Sequence, residues 1–225
     1  MWGRRWADSE RSTRQTMAGA TWTQLNPSWR FPTKDGTCTT PSQKKLDRMG
    51  GHLFGLSMNP ENPKEIWVAG GCCQPCNPEA LIAHTQDAGV TWNVKTSIVK
   101  ETRTENILID PGALPDTGRF HTIQIMGSDG WVAGRGGGLM RTQNGGETWT
   151  SSSTGTRTAL TDLHFIDRLR GWMVGFHGAV LKTNDGGVTW ESSSAGTRND
   201  LFGIFFLDPD QGWIAGSGDL IFCKK

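Results

Sequence analysis

Three segments repeat one frame without gaps: TQDAGVTW from Thr85 to Trp92, TQNGGETW from Thr142 to Trp149 and TNDGGVTW from Thr183 to Trp190. The frame is Thr-x-Asp/Asn-x-Gly-x-Thr-Trp. A short carboxylate or amide at its third position bonds turn backbone two residues on, and the glycine accepts a positive φ. This predicts a hairpin turn held by Asp87, Asn144 and Asp185 in a structural role. The closing Thr-Trp opens the next strand and offers a large apolar ring to a neighbouring sheet.

Two further frames lie upstream of each turn. One is Ile66-Trp67-Val68-Ala69-Gly70, Gly130-Trp131-Val132-Ala133-Gly134, Gly171-Trp172-Met173-Val174-Gly175 and Gly212-Trp213-Ile214-Ala215-Gly216. Its apolar centre suits a strand buried on both faces. The other, around His52–Leu56, His121–Ile125, Leu160–Phe165 and Leu201–Phe206, alternates apolar and polar residues in most copies, as a half-buried strand does. Trp131, Trp172 and Trp213 follow one another at 41 residues, and Trp149 and Trp190 keep the same interval. About forty residues with four strands per unit is the period of a β-propeller.

The chain therefore reads as all-β, a small propeller of about four four-stranded blades over residues 20–225, with residues 1–19 as a flexible arm. Trp67 and Trp131 stand 64 residues apart, so an inserted surface loop is expected near 93–119, where Pro111, Gly112 and Pro115 fall. The last unit stops after its third strand. The segment Ala20 to Leu25 carries the Thr-Trp of an outer strand, and its expected role is to pair with the last sheet and close the ring, removing an exposed edge.

Composition narrows the function. The 30 Gly and 11 Trp fit one packing unit used repeatedly, and the absence of Tyr removes the nucleophile of a sialidase-type site. The carboxylates of the turns belong to different blades and cannot form a catalytic pair across a cleft. A net charge of +1 gives no general attraction to nucleic acid, and no apolar run is long enough to span a bilayer. The repeated Trp residues read as packing between blades rather than as a sugar-stacking series. In the arm, Trp2, Arg4, Arg5 and Trp6 are candidate interface anchors, set against simple disorder.

The segment Cys72-Cys73-Gln74-Pro75-Cys76 allows two readings. One is a loop-stapling disulfide with Cys38 as a partner; the other is a metal site in which Cys38, Cys72, Cys73 and Cys76 hold zinc. No other cofactor is expected.

The run from Gly171 to Trp190, in which Gly-Trp-apolar-x-Gly leads through Leu181-Lys182-Thr183 to Asp-Gly-Gly-x-Thr-Trp, resembles the Asp-box (BNR-like) propellers related to photosystem II stability and assembly factors. The resemblance implies a non-enzymatic scaffold in the thylakoid lumen or periplasm, peripheral to the membrane, with subunits of a photosynthetic complex as protein partners. It also implies a basic docking face, whose matching positions are His84, Arg141 and Lys182, with Arg135 and His177 contributing from the loop after the Gly-Trp strand. Asp-box repeats are also similar to those of sialidases and other glycosidases, so a carbohydrate-binding or glycosidase-related protein is the alternative.

Overall fold

The computed structural model describes residues 16–17, 20–21, 28–32, 38–39, 51–72, 80–97, 119–218 and 220–224. Within them the chain forms nineteen strands and two single-turn 3-10 segments. The short N-terminal strands are β1 (Thr16–Met17), β2 (Ala20–Thr21), β3 (Ser28–Pro32) and β4 (Cys38–Thr39). The first blade is β5 (Gly51–Asn59), β6 (Asn62–Cys72), β7 (Ala80–Thr85) and β8 (Thr91–Ser97). The second is β9 (Phe120–Met126), β10 (Asp129–Gly134), β11 (Leu139–Thr142) and β12 (Thr150–Ser152). The third is β13 (Leu160–Phe165), β14 (Gly171–Gly175), β15 (Ala179–Thr183) and β16 (Glu191–Ser194), and the fourth is β17 (Leu201–Phe206), β18 (Gly212–Gly216) and β19 (Leu220–Lys224).

Each blade is an antiparallel meander whose strands pair in chain order. The Gly-Trp frames are the second strands, flanked on both sides, and every residue of β14 is buried. The alternating frames are the first strands, and these four stand side by side around one cavity.

The blades pack through their tryptophans. Trp131 of the second blade stacks on Phe165 of the third with ring centroids 3.7 Å apart, and Trp172 of the third stacks on Phe206 of the fourth at 3.9 Å. Trp67 of the first blade meets Trp149 of the second edge-on at 6.1 Å. Three apolar clusters fill these junctions. Burying one such ring contributes on the order of 3 kcal/mol, and the 41-residue repeat is the linear record of this junction.

Two details differ from the sequence expectation. Ala20–Thr21 pairs with Thr16–Met17, not with the last sheet, which has three strands among the described residues. The chain's N-terminal part is instead added to the first blade, where β3 runs parallel to β8 with Ser28 beside Thr91 and Arg30 beside Asn93. The edge of β8 is thus covered over Thr91–Asn93, and among the described residues the blades form an open arc of four. The first blade's outer strand also continues to Ser97, so residues 93–97 are part of its sheet. Residues 98–118, which hold the rest of the expected insertion, lie outside the described residues, as does most of the arm.

Candidate docking surfaces

The three Asp-box turns share one bonding pattern. In the first, the Thr85 hydroxyl donates to Asp87 Oδ1 at 2.7 Å and accepts from the Gly89 N–H at 3.0 Å. Asp87 also accepts from the Thr91 N–H at 2.8 Å and the Thr91 hydroxyl at 2.6 Å. Thr183, Asp185, Gly187 and Thr189 repeat the set in the third blade. In the second, Asn144 Nδ2 donates to the Thr148 hydroxyl at 2.9 Å, so an amide does the work of the carboxylate. Bonds from Thr91 hold the Asp87 carboxyl down at about 2, and bonds from Thr189 hold Asp185 at about 2. These carboxylates lock their own hairpins.

The turns define one end of the arc. Gly145 and Gly186 donate backbone bonds to Ser128 and Leu169 in the turns between first and second strands, so both turn sets lie together. The opposite end is made by the links between blades and the 3-10 segments after the Gly-Trp strands. There Arg135 N–H bonds to the Arg119 carbonyl, Phe176 N–H to Ala159, and the Thr154 hydroxyl to the Gly137 carbonyl at 2.7 Å.

The five sequence-selected basic residues do not share one face. His84, Arg141 and Lys182 sit directly across from Trp67, Trp131 and Trp172 in the strand ladders. His84 is buried, stacked on Trp67 at 4.0 Å with Nε2 3.1 Å from Glu65 Oε1, which takes it off the open surface. Burial works against ionisation of Glu65, but bonds from Asn59, Trp67 and His84 outweigh it and hold the carboxyl low. Lys182 Nζ lies 5.9 Å from the Trp172 ring centre, a cation–π distance. Arg141 is half-buried. These three cover the junction tryptophans.

Arg135 and His177 are exposed and stand at the far, loop end, where His177 Nδ1 is 4.0 Å from Asp200. Arg157 and Arg198, both exposed, join them there. Sequence reasoning passed over this pair, although Gly155-Thr156-Arg157 and Gly196-Thr197-Arg198 repeat at the same 41-residue interval. The turn end carries Glu61, Glu65, Asp87, Asp129, Glu147, Asp167, Asp185, Glu191, Asp208 and Asp210, against Lys64, Arg141, Arg168, Arg170 and Lys182. Within the described residues the arc is therefore polarised, basic at the loop end and acidic at the turn end. Cys38 lies in β4 and Cys72 ends β6, but their side chains, with Cys73 and Cys76, lie outside the described residues.

The axial cavity, 570 Å³, is walled by Phe54, Leu56, His121, Asp162, His164 and Phe202 among others. Burial pushes the Asp162 carboxyl up, against three donors: Ile204 N–H at 2.9 Å, the Thr122 hydroxyl at 3.0 Å and its neighbour Leu163 N–H at 2.9 Å. Those donors come from three blades, so Asp162 is a tie at the axis with both oxygens engaged. Burial likewise lowers the His164 imidazole, whose Nε2 meets the Phe206 carbonyl at 3.0 Å.

Residues 152–225 match the model of a family described as photosynthesis system II assembly factor YCF48. In that stretch the chain is similar to the Asp-box β-propellers of those assembly factors. The matched stretch is its C-terminal third, containing the third blade and the fourth. Among solved structures, a protein described as YCF48 bound to D1 peptide aligns over 77% of this chain and 77% of its own at 18% identity, TM-score 0.43. A GH74 xyloglucanase from Xanthomonas campestris aligns over 82% of this chain and 30% of its own at 13% identity, TM-score 0.54. A GH74 enzyme from Niastella koreensis aligns over 73% and 26% at 18% identity, TM-score 0.52. The two GH74 enzymes share the fold with this chain, which spans less than a third of either. No curated protein sequence matches the chain.

Proposed function

We propose that this chain is a non-enzymatic docking protein that binds a subunit of photosystem II through its loop end, acting in assembly at the periphery of the membrane on the lumenal or periplasmic side. The observation that carries the reading is the polarised arc: Arg135, Arg157 and Arg198 exposed together at one end of a fold whose C-terminal third matches the assembly-factor family. Guanidinium groups recognise carboxylates and backbone carbonyls with fixed geometry, and arginine is favoured at interfaces for that reason. The axial cavity supports binding over hydrolysis, since Asp162, the one carboxylate lining it among the described residues, already has both oxygens engaged.

D1 peptide, the ligand named for one of the aligned proteins, is the first probe. The full chain, titrated with that peptide and with detergent-solubilised photosystem II, is expected to bind, with affinity falling as salt rises. Arg157→Glu with Arg198→Glu is expected to weaken binding at least about tenfold, while Lys182→Glu, at the other end, leaves it near the parent value. Indifference of binding to the Arg157 and Arg198 pair would remove the loop end as the docking surface. A positive glycan array with no binding to photosystem subunits would replace the reading with the carbohydrate one.

A further inference from the structure

The first strands of successive blades are joined by a side chain at one repeated position. Ser57 Oγ accepts from the Ile125 N–H of the next blade at 3.0 Å. Gln124 accepts from the Phe165 N–H at 2.7 Å and donates to the Phe165 carbonyl at 2.9 Å. His164 Nε2 meets the Phe206 carbonyl at 3.0 Å. Ladder register places Ser57, Gln124, His164 and Phe205 opposite Trp67, Trp131, Trp172 and Trp213, so Phe205 is the fourth member. Among the described residues it has no next blade to meet and is 51% exposed, and Trp213 beside it is only half-buried.

The other end of the arc carries the opposite half of this junction. Ile125, Phe165 and Phe206 are the buried receiving residues, and register gives Met58 as their counterpart in the first blade, 51% exposed. Leu56, the counterpart of Ile123, Leu163 and Ile204, is 69% exposed. Farther from the axis the same face is already closed, with Trp92 clustered on Val68, Ala83 and Val94. On the first blade the bare strip is thus confined to the region beside the inner strand.

We propose that a second copy of this chain closes the arc, with the Phe205 and Trp213 face of each copy seated on the Leu56 and Met58 face of the other. The interface is the one the molecule already makes between its own blades, which argues for a copy of itself. It is a head-to-tail contact, and two arcs related by a two-fold axis use both ends and leave none free. The result has eight blades, four from each copy, at the upper end of the usual range of four to eight. The apolar ring of Phe205 in place of a polar bridge suits a contact made between chains, where aromatic residues and methionine are favoured.

The test is the mass of the full chain in solution by light scattering across a concentration series. Twice the 24.6 kDa chain mass is expected. Leu56→Asp and Phe205→Asp are each expected to weaken pairing at least about tenfold, and Leu169→Asp, equally exposed but at the turn end, is not. Mixing the Leu56 and Phe205 variants leaves one of the two junctions native, so the mixture pairs more strongly than either variant alone. Because both residues are exposed the variants should fold, and concentration-dependent hydrogen-exchange protection of β5 and β17 in the unaltered chain reads the same contact without substitution. A chain that stays single, a pair indifferent to both substitutions, or growth into open polymers would each overturn the proposal.

Discussion

The indole Nε1–H of Trp131 donates to the Gly186 carbonyl at 2.8 Å, so a side chain of the second blade satisfies turn backbone of the third. Trp131→Phe keeps the stack on Phe165 but leaves that buried carbonyl without its donor, a loss of about 1–3 kcal/mol. Trp131→Ala removes the ring as well and is expected to cost about 3–5 kcal/mol. Trp213 occupies the same frame with no following blade among the described residues, so Trp213→Ala in the unpaired chain should cost clearly less. Urea unfolding of the three variants measures the order; a Trp213 loss equal to that of Trp131 would contradict the account of blade packing.

The second Asp-box has adjacent glycines with different surroundings. Both Gly145 and Gly146 have positive φ, 65° and 78°, so alanine at either is strained by about 1–2 kcal/mol. A Cβ at Gly145 meets nothing within 4 Å, whereas one at Gly146 runs into the ring of Trp67 from the first blade. Gly146→Ala should therefore lose a further 1–3 kcal/mol or so from overpacking. Equal thermal shifts for the two variants would mean that Trp67 does not seat on this turn.

Acid should loosen the first and third turns but not the second. Asp87 and Asp185 have folded-state values of about 2, below their ordinary 3.8, because hydroxyl and backbone N–H groups donate to the ionised carboxylates. Their contribution is fully present above 3.8 and disappears as pH falls through about 2. Replacing both by Asn, the residue already at position 144, should flatten the dependence of stability on pH across that window. Melting temperatures between pH 5 and pH 2 would show it, and an unchanged slope would place the acid sensitivity elsewhere.

The blades were legible because the same contact recurs. Trp131, Trp172 and Trp213 keep their interval since each fills one site in the junction geometry, and that regularity survives in a linear text. The open arc was less legible. The sequence expectation used Ala20 to Leu25 for closure on the strength of Thr-Trp alone, a pattern that marks an outer strand without saying which edge it joins, and the N-terminal part adds β3 to the first blade instead. The docking residues split for a related reason. His84, Arg141 and Lys182 share a repeat position, but period two in a strand sends that position onto the junction tryptophan, while Arg157 and Arg198 sit in links whose glycines drew attention away from the cation.

Two aspartates of the third blade should respond unequally to the same substitution. In Asp185→Asn the new amide nitrogen faces the Thr189 hydroxyl, which can accept, as Thr148 does from Asn144 at 2.9 Å. In Asp162→Asn every neighbour is a donor on one oxygen or the other: Ile204 N–H on Oδ2, and Leu163 N–H with the Thr122 hydroxyl on Oδ1. Whichever way the amide turns, its N–H₂ group meets a backbone N–H, and a partly buried donor loses its acceptor. That costs about 1–3 kcal/mol, and because the donors belong to the second, third and fourth blades, the loss should appear as a less cooperative transition as well as a lower midpoint. Urea unfolding at pH 7 compares the two directly. A larger loss for Asp185→Asn than for Asp162→Asn would mean that the axial carboxylate does not tie the blades together.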